Sequence, residues 1–149
     1  MTAVAAASDA WTDRFNTPDW ADLIAAYTDH QLTLMNLAHT KLSAIEGLTP
    51  QLEWHGPSWR WTLRFDGHGA SGWVYLIPRT EKPQIGMPLH VQQLDQLRLR
   101  KVSKTVREPI EHAPVVAGTA WCEWELSGKS VVEELCKLAA LRLKLAIQA

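Results

Sequence analysis

Apolar and polar residues alternate without interruption from Trp59 to Asp66. Trp59, Trp61, Leu63 and Phe65 take one phase, and Arg60, Thr62, Arg64 and Asp66 take the other. A period of two predicts a strand with one apolar and one charged face. Gly67 to Gly72 supplies a glycine-rich connection, longer than a two-residue hairpin turn, and Trp73 to Ile77 reads as the returning strand, closed by Pro78. A third strand is expected over Gln84 to His90, with Ile85, Met87 and Leu89 in phase. Pro88 lacks a ladder donor, so this strand is expected at an edge or to end early. A fourth, Thr119 to Leu126, puts Cys122, Trp124 and Leu126 on one face and Trp121, Glu123 and Glu125 on the other.

Helical spacing governs the flanks. After Thr17-Pro18-Asp19, with Thr17 as cap and Pro18 at the first turn, Trp20, Leu23, Ile24, Tyr27, Leu34, Met35, Ala38, Leu42 and Ile45 share a face. The pattern is least regular from Thr28 to Gln31, where a break is expected, and Gly47 with Thr49-Pro50 marks the stop. Val91 to His112 is helical in character but interrupted, and Pro109 should kink or restart it. Ser130 and Glu133 have the spacing of a capping box at the head of the last helix. Its stripe of Val132, Leu135, Cys136, Ala139, Leu143, Ala146 and Ile147, widened by Leu138, Leu141 and Leu145, predicts deep burial or a homodimer contact. The expected fold is α+β: one antiparallel, meander-based sheet of four to five strands with N- and C-terminal helices on one face. Residues 1–16 are expected to form a flexible N-terminal arm and 17–149 a single α+β domain.

Composition narrows the class. With 149 residues, 46% apolar and 21% charged at net charge −1, the chain can build a core and is not disordered. No apolar run reaches the roughly 18–20 residues of a membrane span. The N-terminus lacks a basic segment and a long apolar stretch, which predicts a cytoplasmic protein. Cys122 and Cys136 have no metal-type spacing and are expected reduced and inert. Tryptophan is the anomaly: eight Trp against two Phe and two Tyr.

Several stretches carry a resemblance. They are Leu52-Glu53-Trp54-His55 with Ser58 to Phe65, Trp73 to Arg79, Val106 to Pro114, and Gly118 to Trp121 with Glu123 to Leu126. Over roughly residues 18–145 the chain resembles a bacterial domain-of-unknown-function family (number 3788) within the broader YdhG-like α+β group. The resemblance implies the same sheet-and-helix architecture and assigns no catalytic residue. Some members of the wider group are described as frataxin-like iron chaperones; here that role would fall to Asp19, Asp22 and Asp29.

No motif specifies a reaction. Ser127-Gly128-Lys129-Ser130 between strand and helix is similar to the end of a phosphate loop, but Glu123 stands where that loop needs glycine. A single anion at Gly128, Lys129 and Ser130 is the weaker reading. The six histidines form no HxH, HxxxH or HExxH unit, so neither metal nor cofactor is expected. No GxSxG elbow is present, and an enzyme would need a site assembled in space. Arg98, Arg100, Lys101, Lys104 and Arg107 fall within ten residues containing no acid, which could neutralise phosphates or form a solvated face; a nucleic-acid accessory role is the minor alternative. The sharpest candidate is the polar face of the sheet. Arg60, Arg64, Trp73, Tyr75, Trp121, Glu123 and Glu125 would combine aromatic walls with a few charges, as a small-ligand or partner-protein site does. The competing reading is a face whose Arg–Glu pairs satisfy one another. The expected function is a non-enzymatic binding or interaction module.

Overall fold

The computed structural model describes residues 10–148. Six antiparallel strands form one sheet: β1 (Thr49–Trp54), β2 (Trp61–Gly67), β3 (Ala70–Pro78), β4 (Pro83–His90), β5 (Val115–Val116) and β6 (Thr119–Glu125), in the spatial order β1-β2-β3-β4-β6-β5. The helices are α1 (Trp20–Ile24), α2 (Asp29–Ser43), the single turn α3 (Gly56–Trp59), α4 (Lys104–Glu111) and α5 (Lys129–Gln148). Two 3-10 segments, Val91–Leu97 and Leu99–Lys101, lead into α4. The α+β class and the single antiparallel sheet are as expected, with six strands rather than four to five. The additions are the edge strands β1 and β5.

The long N-terminal helical stretch breaks where its pattern falters. Thr28 caps α2, accepting from the Gln31 N–H while the Gln31 side chain accepts from the Thr28 N–H. At α1 the cap is Asp19 rather than the expected Thr17, two residues later, and the Asp22 carboxylate accepts from its N–H. At α5 the Val132 N–H donates to the Gly128 carbonyl, so the helix begins ahead of the expected box and Ser130 lies inside its first turn. Pro109 sits within α4 without ending it.

The main core lies between one sheet face and α2, α4 and α5. Phe65, Val74, Leu76, Ile85, Met87 and Cys122 meet Met35, Leu42, Val106, Val132 and Leu135, all fully enclosed. Trp124 belongs here, its indole N–H donating to the Val106 carbonyl at 2.8 Å.

The opposite face is not open, as a one-sided sheet would have it. It carries a second cluster of Trp11, Leu23, Trp59, Trp61, Tyr75 and Ile77. Trp59 is the cause of the difference. Instead of continuing the strand it ends α3, and Arg60 then takes a left-handed φ of 55° before β2 begins at Trp61. Gly56, with φ 78°, and Pro57 start that turn. Trp59 is thereby removed from the strand alternation and laid over the second face. The chain from Ala10 is docked there too: Trp11 is 9% exposed and the Asp13 carbonyl accepts from the Trp61 indole. Residues 1–9 of the expected arm lie outside the described residues.

A sheet-face cleft as the candidate site

Pro88 sits not at an edge but in β4, between β3 and β6. The backbone explains how a central strand accepts it. Pro83 accepts from Leu126 and the Val91 N–H donates to Gly118, so odd-numbered residues of β4 turn their backbone groups toward β6. Even-numbered residues, Pro88 among them, therefore face β3. The β4–β6 ladder runs its full length from Gln84–Glu125 to His90–Thr119. The β3–β4 ladder stops at Tyr75–Gly86. Continued by two residues it would set Pro88 opposite Trp73, whose carbonyl would meet a nitrogen with no hydrogen. The β3 side is irregular as well: pairing with β2 shifts between Phe65 and Gly67, and Gly72 has φ 77°.

The strands part beyond that point and leave a cleft of about 290 Å³. Ala70 to Trp73 and Tyr75 line it from β3, Pro88 and His90 from β4, and Thr119 and Trp121 from β6. The remaining wall is Arg142, from α5. Its guanidinium donates to the Trp73 carbonyl at 2.9 Å, replacing the bond Pro88 cannot make, and lies 4.8 Å from the Trp73 ring centroid. Arg142 is 7% exposed, and burial pushes its guanidinium down to about 10, so it remains charged at neutral pH. Among the described residues no carboxylate lies within ion-pair distance of it.

Beside the cleft the second face is closed by rings. Trp59 lies 5.0 Å from Tyr75 and 6.0 Å from Trp121, both edge-on. His55 completes the group at 5.0 Å from Trp59 and 4.8 Å from Tyr75. Gly86 permits this, since a Cβ there would stand 2.6 Å from the Trp59 ring. The Trp59 indole N–H donates to Glu123, which also pairs with Arg79 at 3.0 Å.

Of the residues expected on this face, the cleft gathers Trp73, Tyr75 and Trp121. The charged ones have other partners. Arg64 holds Asp66 through two nitrogens, at 2.8 and 2.9 Å, and reaches Glu53 at 3.4 Å. Asp66 further accepts from the Gly72 N–H. Arg60 lies over the Trp11 ring at 5.1 Å, with Arg79 at 5.7 Å from the same ring. Glu125 is exposed opposite Gln84. The self-satisfied reading thus holds for Arg64, Glu53 and Asp66. Arg142 is the residue sequence reasoning passed over. It stands three residues after Ala139 and seven after Leu135, in the buried stripe of α5. A charged residue in register with that stripe was the available signal.

Gly128, Lys129 and Ser130 stand at the head of α5 as expected, with Lys129 and Ser130 exposed. In the basic segment, Lys104 pairs with Glu108 and Arg107 with Glu111, one turn on in α4. Arg98, Arg100 and Lys101 line a separate cleft with Leu94, Asp95 and Leu99. Both cysteines are free and buried, and burial pushes Cys122 up to about 12 and Cys136 up to about 11, which suppresses the reactive thiolate. Among the described residues no group of three His, Cys, Asp or Glu could hold a metal, and no helix is long and apolar enough to cross a membrane. Set against protein-family models, curated proteins and solved structures, the chain finds no match in any of the three.

Proposed function

We propose that this protein is a binding module that takes a small ligand in the cleft between β3 and β4. The observation that carries this reading is the cleft itself: an opening in a sheet ladder, walled by Trp73, Tyr75 and Trp121. Its volume lies at the small end of ligand sites, which run roughly 300–1,000 Å³. Three aromatic residues in the lining favour a flat, largely apolar body. The cleft's hydroxyls are those of Ser71, Tyr75 and Thr119, and its one histidine, His90, meets Thr119 at 3.5 Å, longer than the roughly 2.6–3.2 Å of an activated nucleophile–base pair. That composition supports binding over turnover.

The test is tryptophan fluorescence and thermal shift against a panel of small metabolites, repeated on Trp121→Ala. Trp121 is half-buried, so its removal should leave the fold standing. A saturable response in the parent that Trp121→Ala loses supports the reading. A panel without any saturable response, or one that Trp121→Ala leaves unchanged, refutes it.

A further inference from the structure

Arg142 gives the cleft a chemical preference. A cation on the buried stripe of a helix is costly to desolvate and is normally paired. Here Glu125 is exposed and forms no ion pair with Arg142, and the other carboxylates on this side of the sheet are already engaged. Asp66 and Glu53 hold Arg64, and Glu123 holds Arg79 and the Trp59 indole. Tyr75 also lines the cleft, but burial raises its phenol further above its ordinary value, so it supplies no negative charge at neutral pH. Among the described residues the guanidinium makes one hydrogen bond, to the Trp73 carbonyl. A guanidinium has five N–H donors in a planar fork. The bond to Trp73 and the ring beneath it hold the guanidinium in place at the cleft wall, with its other donors left over.

Building on the reading of the cleft as a ligand site, we infer that the ligand is a flat monocarboxylate whose carboxylate pairs with Arg142 while its body lies among Trp73, Tyr75 and Trp121. Planar two-oxygen recognition suits a guanidinium fork. Arg142 is the one lysine or arginine among the lining residues, with His90 the other basic side chain, and a single guanidinium favours a single negative charge over a phosphate or a dicarboxylate. The three rings favour an aromatic or short planar body.

The experiment uses matched probes on the full chain: benzoate and indole-3-carboxylate, their neutral amides benzamide and indole-3-carboxamide, and inorganic phosphate. Affinity is read by tryptophan fluorescence and calorimetry on the parent, Arg142→Met, Arg142→Lys and Trp121→Ala. The carboxylates should bind the parent at least about tenfold tighter than their amides. Arg142→Met should weaken the carboxylates by about 30-fold or more while leaving the amides unchanged. Arg142→Lys keeps the charge without the fork and should fall in between. Should Arg142→Met fail to fold, the Lys variant and the carboxylate-to-amide ratio of the parent still decide the matter. Amides binding as well as carboxylates, with Trp121→Ala abolishing both, would overturn the carboxylate assignment and leave the ligand cleft standing. Phosphate outcompeting the carboxylates would overturn it also. If no probe binds at millimolar concentration, this inference falls, and the wider metabolite panel then decides the cleft.

Discussion

His55 is enclosed by the rings of Trp59, Tyr75 and Trp121, and its imidazole responds to that setting. Burial, helped by the Arg64 cation and opposed by Glu53, holds it below its ordinary 6.5; burial alone does the same to His39. Both are therefore more basic in the unfolded chain, which takes up protons first as the pH falls. Their contribution to stability is complete above 6.5 and is lost as the pH drops through 6.5 toward the lower folded values. Urea midpoints measured from neutral pH to about pH 5 should decline, and His55→Phe should flatten part of that decline. An identical slope in His55→Phe would remove His55 from the account. Trp59 depends on its neighbour in a different way. Gly86→Ala would drive a methyl into its ring and toward Ile77 at 3.1 Å, and should cost about 1–3 kcal/mol in urea unfolding, with a changed near-ultraviolet dichroism.

Among the elements, β4 decides the most. Replacing Pro88 by Ala supplies a backbone N–H aimed at the Trp73 carbonyl that Arg142 now serves. The β3–β4 ladder should extend by one bond, worth about 0.5–1.5 kcal/mol, roughly offset by the added freedom of the unfolded chain. Hydrogen exchange should find the new amide protected, and the response to ligands should be lost with the fold intact. A freely exchanging amide at position 88 would mean that the parting of the strands has another origin. The same strand marks what could be read from sequence. Strands with strict alternation, such as Thr119–Glu125, and the helix break at Thr28 were legible because local pattern and tertiary burial agree. β1 was not recognised as a strand, since Pro50 interrupts it and only alternate residues are half-buried at the sheet edge. Pro88 was legible as a missing donor but not as the maker of a cleft, because its consequence depends on which neighbour the absent hydrogen faces. Arg142 was masked by counting only apolar letters along α5.

On the scale of the molecule, the sheet is covered on both faces, and the second cover is closed partly by the segment that precedes α1. Trp11 meets the guanidiniums of both Arg60 and Arg79, and its buried indole N–H finds no acceptor among the described residues. Trp11→Ala should therefore lower stability by about 3 kcal/mol or more. Trp11→Phe keeps the ring and removes the unsatisfied donor, so it should sit far closer to the parent and could exceed it. Both are read from thermal and urea unfolding. Equal stability of the parent and Trp11→Ala would mean that the segment is not part of the folded unit in solution.

The recess between β3 and β4 also bears on how such a site arises. An unbroken antiparallel sheet gains a recess when one interior residue loses its amide hydrogen and a basic residue on the covering helix comes to occupy the orphaned carbonyl. Those two changes are separable: the proline alone opens a gap, and the arginine alone is an uncompensated buried charge. Chains sharing this architecture can therefore be sorted by two letters, the residues matching positions 88 and 142. Those carrying both would keep the recess, and those carrying neither would retain the scaffold with its ladder closed.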